Sequence, residues 1–127
     1  LVSCNGFDIY IKGTNVMTEQ ANIYLSGVTY EGRQDNIKSL LDADDIEMKV
    51  VRDTENKYDD YAIKIYLKSG DSDWKDVGFI PKPINRVMIE DVGLENITFT
   101  FMNFSTFAMA DGNRMYGVKV ALEWEVK

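Results

Sequence analysis

The 127-residue sequence contains no histidine. That absence excludes Ser-His-Asp and Cys-His nucleophilic catalysis, and with them every zinc site built on imidazole. Cysteine occurs once, as Cys4, so no disulfide can form within the chain and no thiolate cage can hold a metal. Without an imidazole to activate it, Cys4 reads as a free thiol near a chain end. Proline occurs twice, at Pro81 and Pro83, and no Pro-rich linker, repeat or low-complexity tract divides the chain. No apolar run reaches the length of a membrane-spanning helix. The first residues lack the basic lead and long apolar stretch of a signal peptide. A cytoplasmic protein with no membrane partner is therefore expected.

Positive charge is also short. Fourteen Lys and Arg face 21 Asp and Glu, for a net charge of −7. A surface of this sign disfavours general adhesion to phosphate backbones but allows a local basic site.

What is present is enough apolar material for one folded domain. Hydrophobic residues make up 45% of the chain, and this length buries a core without covalent staples. Period-two alternation predicts strands over 7–12, 21–30, 46–52, 61–68, 74–80, 96–104 and 115–126. In 21–30, Ile23 and Leu25 take one face and Tyr24, Val28 and Tyr30 the other, with Gly27 at a bulge or close approach. The spacing of Ile37, Leu40 and Leu41 predicts a helix over 33–42. A second helix starts near Pro83, carries Ile84, Val87 and Met88 on its apolar face, and closes at Gly93. Gly13-Thr14-Asn15 breaks the first strand, and Asp111-Gly112 marks a hairpin turn between the last two. The fold class is mainly β: a small OB-like or SH3-like antiparallel barrel of about six strands with two short inserted helices.

The carboxylates do not form a recognisable centre. Asp42, Asp44 and Asp45 cluster, as do Asp71, Asp73 and Asp76, but neither group has the spacing, glycine and late glutamate of a calcium loop. Asp59-Asp60 could serve metal-assisted hydrolysis, yet neighbours in extended chain point apart and no third acid is evident. No phosphate-cradling glycine loop or dinucleotide fingerprint occurs. No enzyme, no metal and no cofactor are expected.

The most informative segment is Asn56-Lys57-Tyr58-Asp59-Asp60-Tyr61-Ala62-Ile63-Lys64-Ile65. Asn56 and Asp59 suit a turn, since both side chains bond to nearby backbone. Tyr58 lies between them. An exposed tyrosine beside a hydrogen-bonding acid is suited to stacking on a base while the acid accepts a hydroxyl proton. The plainer possibility is that Tyr58 plugs the end of the barrel and Asp59 caps the next strand.

This segment resembles the central motif of the HIRAN domain family, an Asn-x-Tyr-Asp turn before an Ala-Ile-x-Val strand. Gly27-Val28-Thr29-Tyr30, Met48-Lys49-Val50-Val51-Arg52-Asp53 and Val77-Gly78-Phe79-Ile80-Pro81 resemble the family's flanking motifs in order and spacing. The resemblance spans roughly residues 20–125. It implies an OB-like barrel over 20–127, with residues 1–19 as an N-terminal extension that can add one strand. It also implies a module that captures the 3′-hydroxyl end of single-stranded DNA, as the domain does in Swi/Snf-type fork-remodelling translocases, with a role in DNA repair. By resemblance, Tyr30 and Tyr58 stack on terminal bases and Asp59 accepts a hydrogen bond from the 3′-hydroxyl. Asn56 supports the terminal nucleotide and Lys82 meets a phosphate. Phe104 or Phe107 supplies a further aromatic. DNA-binding members carry a basic residue where this chain has Thr29, and can carry histidine where it has Phe79. These departures favour a second reading, a protein-interaction or structural domain on the same fold. A carboxylate-dependent hydrolase is the third.

Overall fold

The computed structural model describes residues 2–4, 7–12 and 16–126, with side chains from Met17 onward. The expected break at Gly13–Asn15 lies outside the described residues. The described residues form eight strands: β1 (Val2–Cys4), β2 (Phe7–Lys12), β3 (Val16–Tyr24), β4 (Ile46–Arg52), β5 (Ile63–Ser69), β6 (Lys75–Phe79), β7 (Thr98–Ala108) and β8 (Arg114–Glu125). Two short helices, α1 (Arg33–Lys38) and α2 (Lys82–Val87), fill the connections, and α2 runs on into a π-turn over Met88–Val92. Among the described residues no helix is long and apolar enough to cross a membrane.

The strands form two antiparallel sheets, β1-β2-β3-β8-β7 and β4-β5-β6. Among the described residues an isolated bridge joins them: Ser26 and Phe79 exchange backbone hydrogen bonds of 2.8 and 2.9 Å. Gly78 makes this approach possible. Its φ is 146°, and a Cβ there would sit 2.7 Å from the Ser26 carbonyl oxygen, so only glycine fits.

Alternation builds the core. Ile63, Ile65 and Leu67 of β5 are fully buried against Val118, Val120 and Leu122 of β8, with Ile37, Leu40, Val77 and Ile80 filling in. Each such side chain contributes about 1.5–3 kcal/mol by leaving water. The strand opposite each face is the expected one: β8 pairs antiparallel with β7 through the Asp111-Gly112 turn.

Several expected boundaries move, each for a local reason. The predicted strand 21–30 begins earlier, at Val16, and ends at Tyr24, because Gly27 adopts a φ of 71° and turns the chain. Val28 consequently swings into the core instead of sharing a face with Tyr24. The helix predicted over 33–42 stops at Lys38, and successive turns carry Leu40 into the core. On α2 the apolar face is rotated from the expected one: Val87 is exposed and Asn85 is buried. Asn85 can point inward because it finds a carboxylate there. The strand predicted over 115–126 ends at Glu125, and Val126 just beyond it is exposed.

Candidate nucleic-acid interface

Asp53 to Ala62 connects β4 to β5 and is built largely from its own side chains. The Asn56 Oδ1 atom accepts hydrogen bonds from the backbone N–H groups of Tyr58 at 2.9 Å and Asp59 at 3.1 Å. The Asp59 Oδ1 atom accepts one from the Tyr61 N–H at 2.9 Å. These are the side-chain-to-backbone turns that Asn and Asp favour. They leave Tyr58 with nothing to pack into. It is 80% exposed, with the Lys57 ammonium 5.5 Å from its ring centre. Tyr58 is therefore no barrel plug.

Asp59 has a second anchor. Its Oδ2 atom accepts a 2.7 Å hydrogen bond from the Asn85 side chain, which is 2% exposed. A carboxylate offers about four acceptor positions. Two are used here, so Asp59 can still accept from a hydroxyl at its half-exposed side. Asp60 is exposed to solvent, and its carbonyl accepts from the Arg52 guanidinium at 3.2 Å. The two adjacent acids do not converge. Among the described residues no three His, Cys, Asp or Glu side chains could hold a metal ion.

Tyr30 lies on the other side of β6, in the turn after Gly27, and is 68% exposed. A buried arginine holds that turn. Arg33 is 4% exposed and donates to both carboxylate oxygens of Asp76, at 3.0 and 3.2 Å, and to the Gly27 carbonyl at 2.9 Å. Gln34 adds bonds to the Val28 and Tyr116 carbonyls and accepts from the Tyr116 N–H. Between the two tyrosine loops runs Phe79–Lys82. Its start is tied to Ser26, and the Ile80 N–H donates to the Ile63 carbonyl at 2.9 Å. Phe79 is held between Arg33, 4.9 Å from its ring centre, and Lys64, at 5.3 Å. Lys82 follows on the exposed first turn of α2. Asn56, Tyr58 and Asp59 precede β5 and Lys82 follows β6, so these four sit at one end of the antiparallel β5-β6 pair, while Tyr30 stands on a separate turn tied to β6 through Ser26 and Arg33.

Further groups at this end were not evident in the sequence. Arg52 and Arg86 lie 5.8 and 5.6 Å from the Tyr61 ring centre, and the Tyr61 hydroxyl donates to Glu90, which also pairs with Arg86 at 3.1 Å. That hydrogen bond raises the Tyr61 pKa and lowers that of Glu90, with Arg86 lowering Glu90 further. Three further cations, Arg52, Lys57 and Arg86, therefore join the expected Lys82 on the loop and helix around Tyr58 and Asp59. Their sequence positions are scattered, so no basic run advertised them. Asn85 did carry a signal: an asparagine one residue from Ile84 and three from Met88 is a polar group on an otherwise core-facing turn.

Phe104 and Phe107 both pack, partly buried, against the core, and the Phe104 ring lies 4.9 Å from that of Phe101 at a tilt of 54°. Phe107 lines a groove of about 400 Å³ with Tyr24, Leu25, Val28 and Gly117. A larger hollow of about 750 Å³ lies against β3 and β8, lined by Thr18, Asp91 and Trp124, and holds none of the expected residues. No family model, curated protein or solved structure matches this chain.

Proposed function

We propose that this chain is a cytoplasmic, non-enzymatic module of HIRAN type, a half-closed OB-like barrel that binds single-stranded DNA at a free 3′-hydroxyl end. One observation carries the reading: an acid with unused acceptor capacity, Asp59, is fixed by the buried Asn85 beside the exposed ring of Tyr58. Side chains that merely end a turn need no buried partner from another element. Tyr58 and Tyr30 would stack on the last bases, a contribution of about 1–3 kcal/mol per base. Asp59 would accept from the terminal hydroxyl and repel a terminal phosphate. Lys82, with Asn56 shaping the loop, would meet the adjoining phosphate. The net charge of −7 weakens long-range attraction, so binding depends on this end-site chemistry and falls with salt.

Fluorescence anisotropy with short single strands ending in 3′-hydroxyl or 3′-phosphate tests the proposal. Tighter binding of the hydroxyl end at low salt is expected. Equal binding of both ends removes the role given to Asp59. No binding to either at low salt leaves the protein-interaction reading in its place, and metal-dependent turnover of the strand would move the protein to the hydrolase class.

A further inference from the structure

We propose that the solvent face of the β4-β5-β6 sheet is a second nucleic-acid surface, which carries the single strand onward from the 3′-end site; this rests on the nucleic-acid reading above. Ile63, Ile65 and Leu67 point into the core, so Lys64, Tyr66 and Lys68 share the opposite face of β5. Register places Lys49 opposite Tyr66. The Lys49 ammonium lies 5.0 Å from the Tyr66 ring centre and 4.9 Å from that of Trp74, and Lys68 lies 4.9 Å from Trp74. Lysine and aromatic ring therefore interleave along the strand. Lys64 to Lys68 spans roughly 13 Å at the rise of a β-strand. One end of this row lies beside the segment that leads to Lys82, because Lys64 also caps Phe79, three residues before it.

Charge points to the same occupant. The face carries Lys49, Lys64 and Lys68 against two acids, Glu47 paired with Lys68 at 3.6 Å and Asp76 shared between Lys64 and Arg33. It is locally positive on a chain with a net charge of −7. In the free protein the ammonium groups cover the rings. An exposed cation–π contact is weaker than a base stacked on the same ring. Exchange is thus favourable: lysines turn to phosphates and the rings take bases, without sequence preference.

Anisotropy titrations with oligothymidylates of about four and about sixteen nucleotides, each ending in 3′-hydroxyl or 3′-phosphate, test this surface. The longer strand should bind at least about fivefold more tightly, the lower end of the effect of one further stacked base. The double variant Lys49→Gln/Lys68→Gln should lose that advantage and flatten the salt dependence by about 1.4 in log–log slope, two phosphates at about 0.7 each. Its affinity for the shorter strand should not change, and its melting temperature should match the parent's. No length advantage, or one the double variant keeps, overturns the proposal. A length advantage that depends on both lysines but ignores the 3′ group supports this face and instead overturns the role of Asp59.

Discussion

The two tyrosines at the proposed end site are displayed by loops of opposite construction. Tyr30 sits on a turn held from below by Arg33, a buried cation that reaches across to Asp76 of the other sheet. Tyr58 sits on a loop held from within, by Asn56 and Asp59 folding back on their own backbone. The first anchor is tertiary and belongs to the fold. The second is local and belongs to the site, with Asn85 as its one buried tie. Losing an anchor should therefore unfold the protein in one case and blunt a ligand contact in the other.

The largest effect is expected on the Tyr30 side. Arg33→Met keeps the length of the side chain but removes every hydrogen bond that Asp76 and Gly27 receive from it. Breaking a buried ion pair by deleting one partner costs about 3–5 kcal/mol. The lower end, about 3 kcal/mol, is expected here because Lys64 and the Gly78 N–H still serve Asp76, at 3.5 and 3.2 Å. Urea unfolding measures it. Arg33→Lys should recover little, since an ammonium cannot span both carboxylate oxygens. A loss under about 1 kcal/mol for Arg33→Met would mean that the turn is held by Gln34 rather than by the arginine.

On the Tyr58 side the next effect is smaller and split between stability and binding. Asp59→Ala leaves the buried Asn85 amide without its acceptor, at about 1–3 kcal/mol. The same change should abolish preference for a 3′-hydroxyl over a 3′-phosphate. Asn85→Ala is the sharper comparison, because it leaves the Asp59 carboxylate in place and removes only its tie. Reduced end preference in that variant, with overall affinity retained, would show that Asp59 must be held still to discriminate. Tyr58→Ala should change unfolding free energy by less than about 0.5 kcal/mol, as for an exposed side chain, yet weaken single-strand binding by about 1–3 kcal/mol. Stability lost without affinity would return Tyr58 to a structural role.

The contrast also explains what could be read from the sequence. Local construction is legible: Asn56, Asp59 and the alternation of Ile63 to Leu67 all act on their neighbours, and the loop and strand fall where those residues place them. The 46–52 strand and the Asp111-Gly112 hairpin are legible for the same reason. Arg33 is not, because its partner lies 43 residues away and nothing local marks its side chain as buried, and Asn85 shows only as a polar residue on a core-facing turn, its partner 26 residues away. Gly27 shows the boundary between the two. The sequence marks it as a bulge or close approach within a strand over 21–30, but the turn it makes, which buries Val28 and exposes Tyr30, depends on Arg33 beneath.

The smallest expected effect concerns Tyr61, where the local loop touches α2 through an exposed cluster. The hydrogen bond from Tyr61, and then Arg86, hold the Glu90 pKa below its ordinary value. Its unfolded-state pKa is thus the higher one, so the cluster's stabilisation is full above the ordinary carboxylate range and fades as pH falls through the folded value. Tyr61 behaves oppositely: the Glu90 bond raises its pKa, so its share is full below the ordinary phenol range and fades as pH rises through the folded value. Both groups are exposed and screened, and the expected change is slight. Urea midpoints of the parent and Glu90→Gln, compared across acid, neutral and alkaline pH, measure it. The parent should lose slightly more than the variant toward both extremes, because only the parent carries the charged acceptor. A parallel pair of curves would show that Tyr61 is positioned by Arg52 and Arg86 stacking alone, and that the loop carrying Tyr58 owes nothing to Glu90.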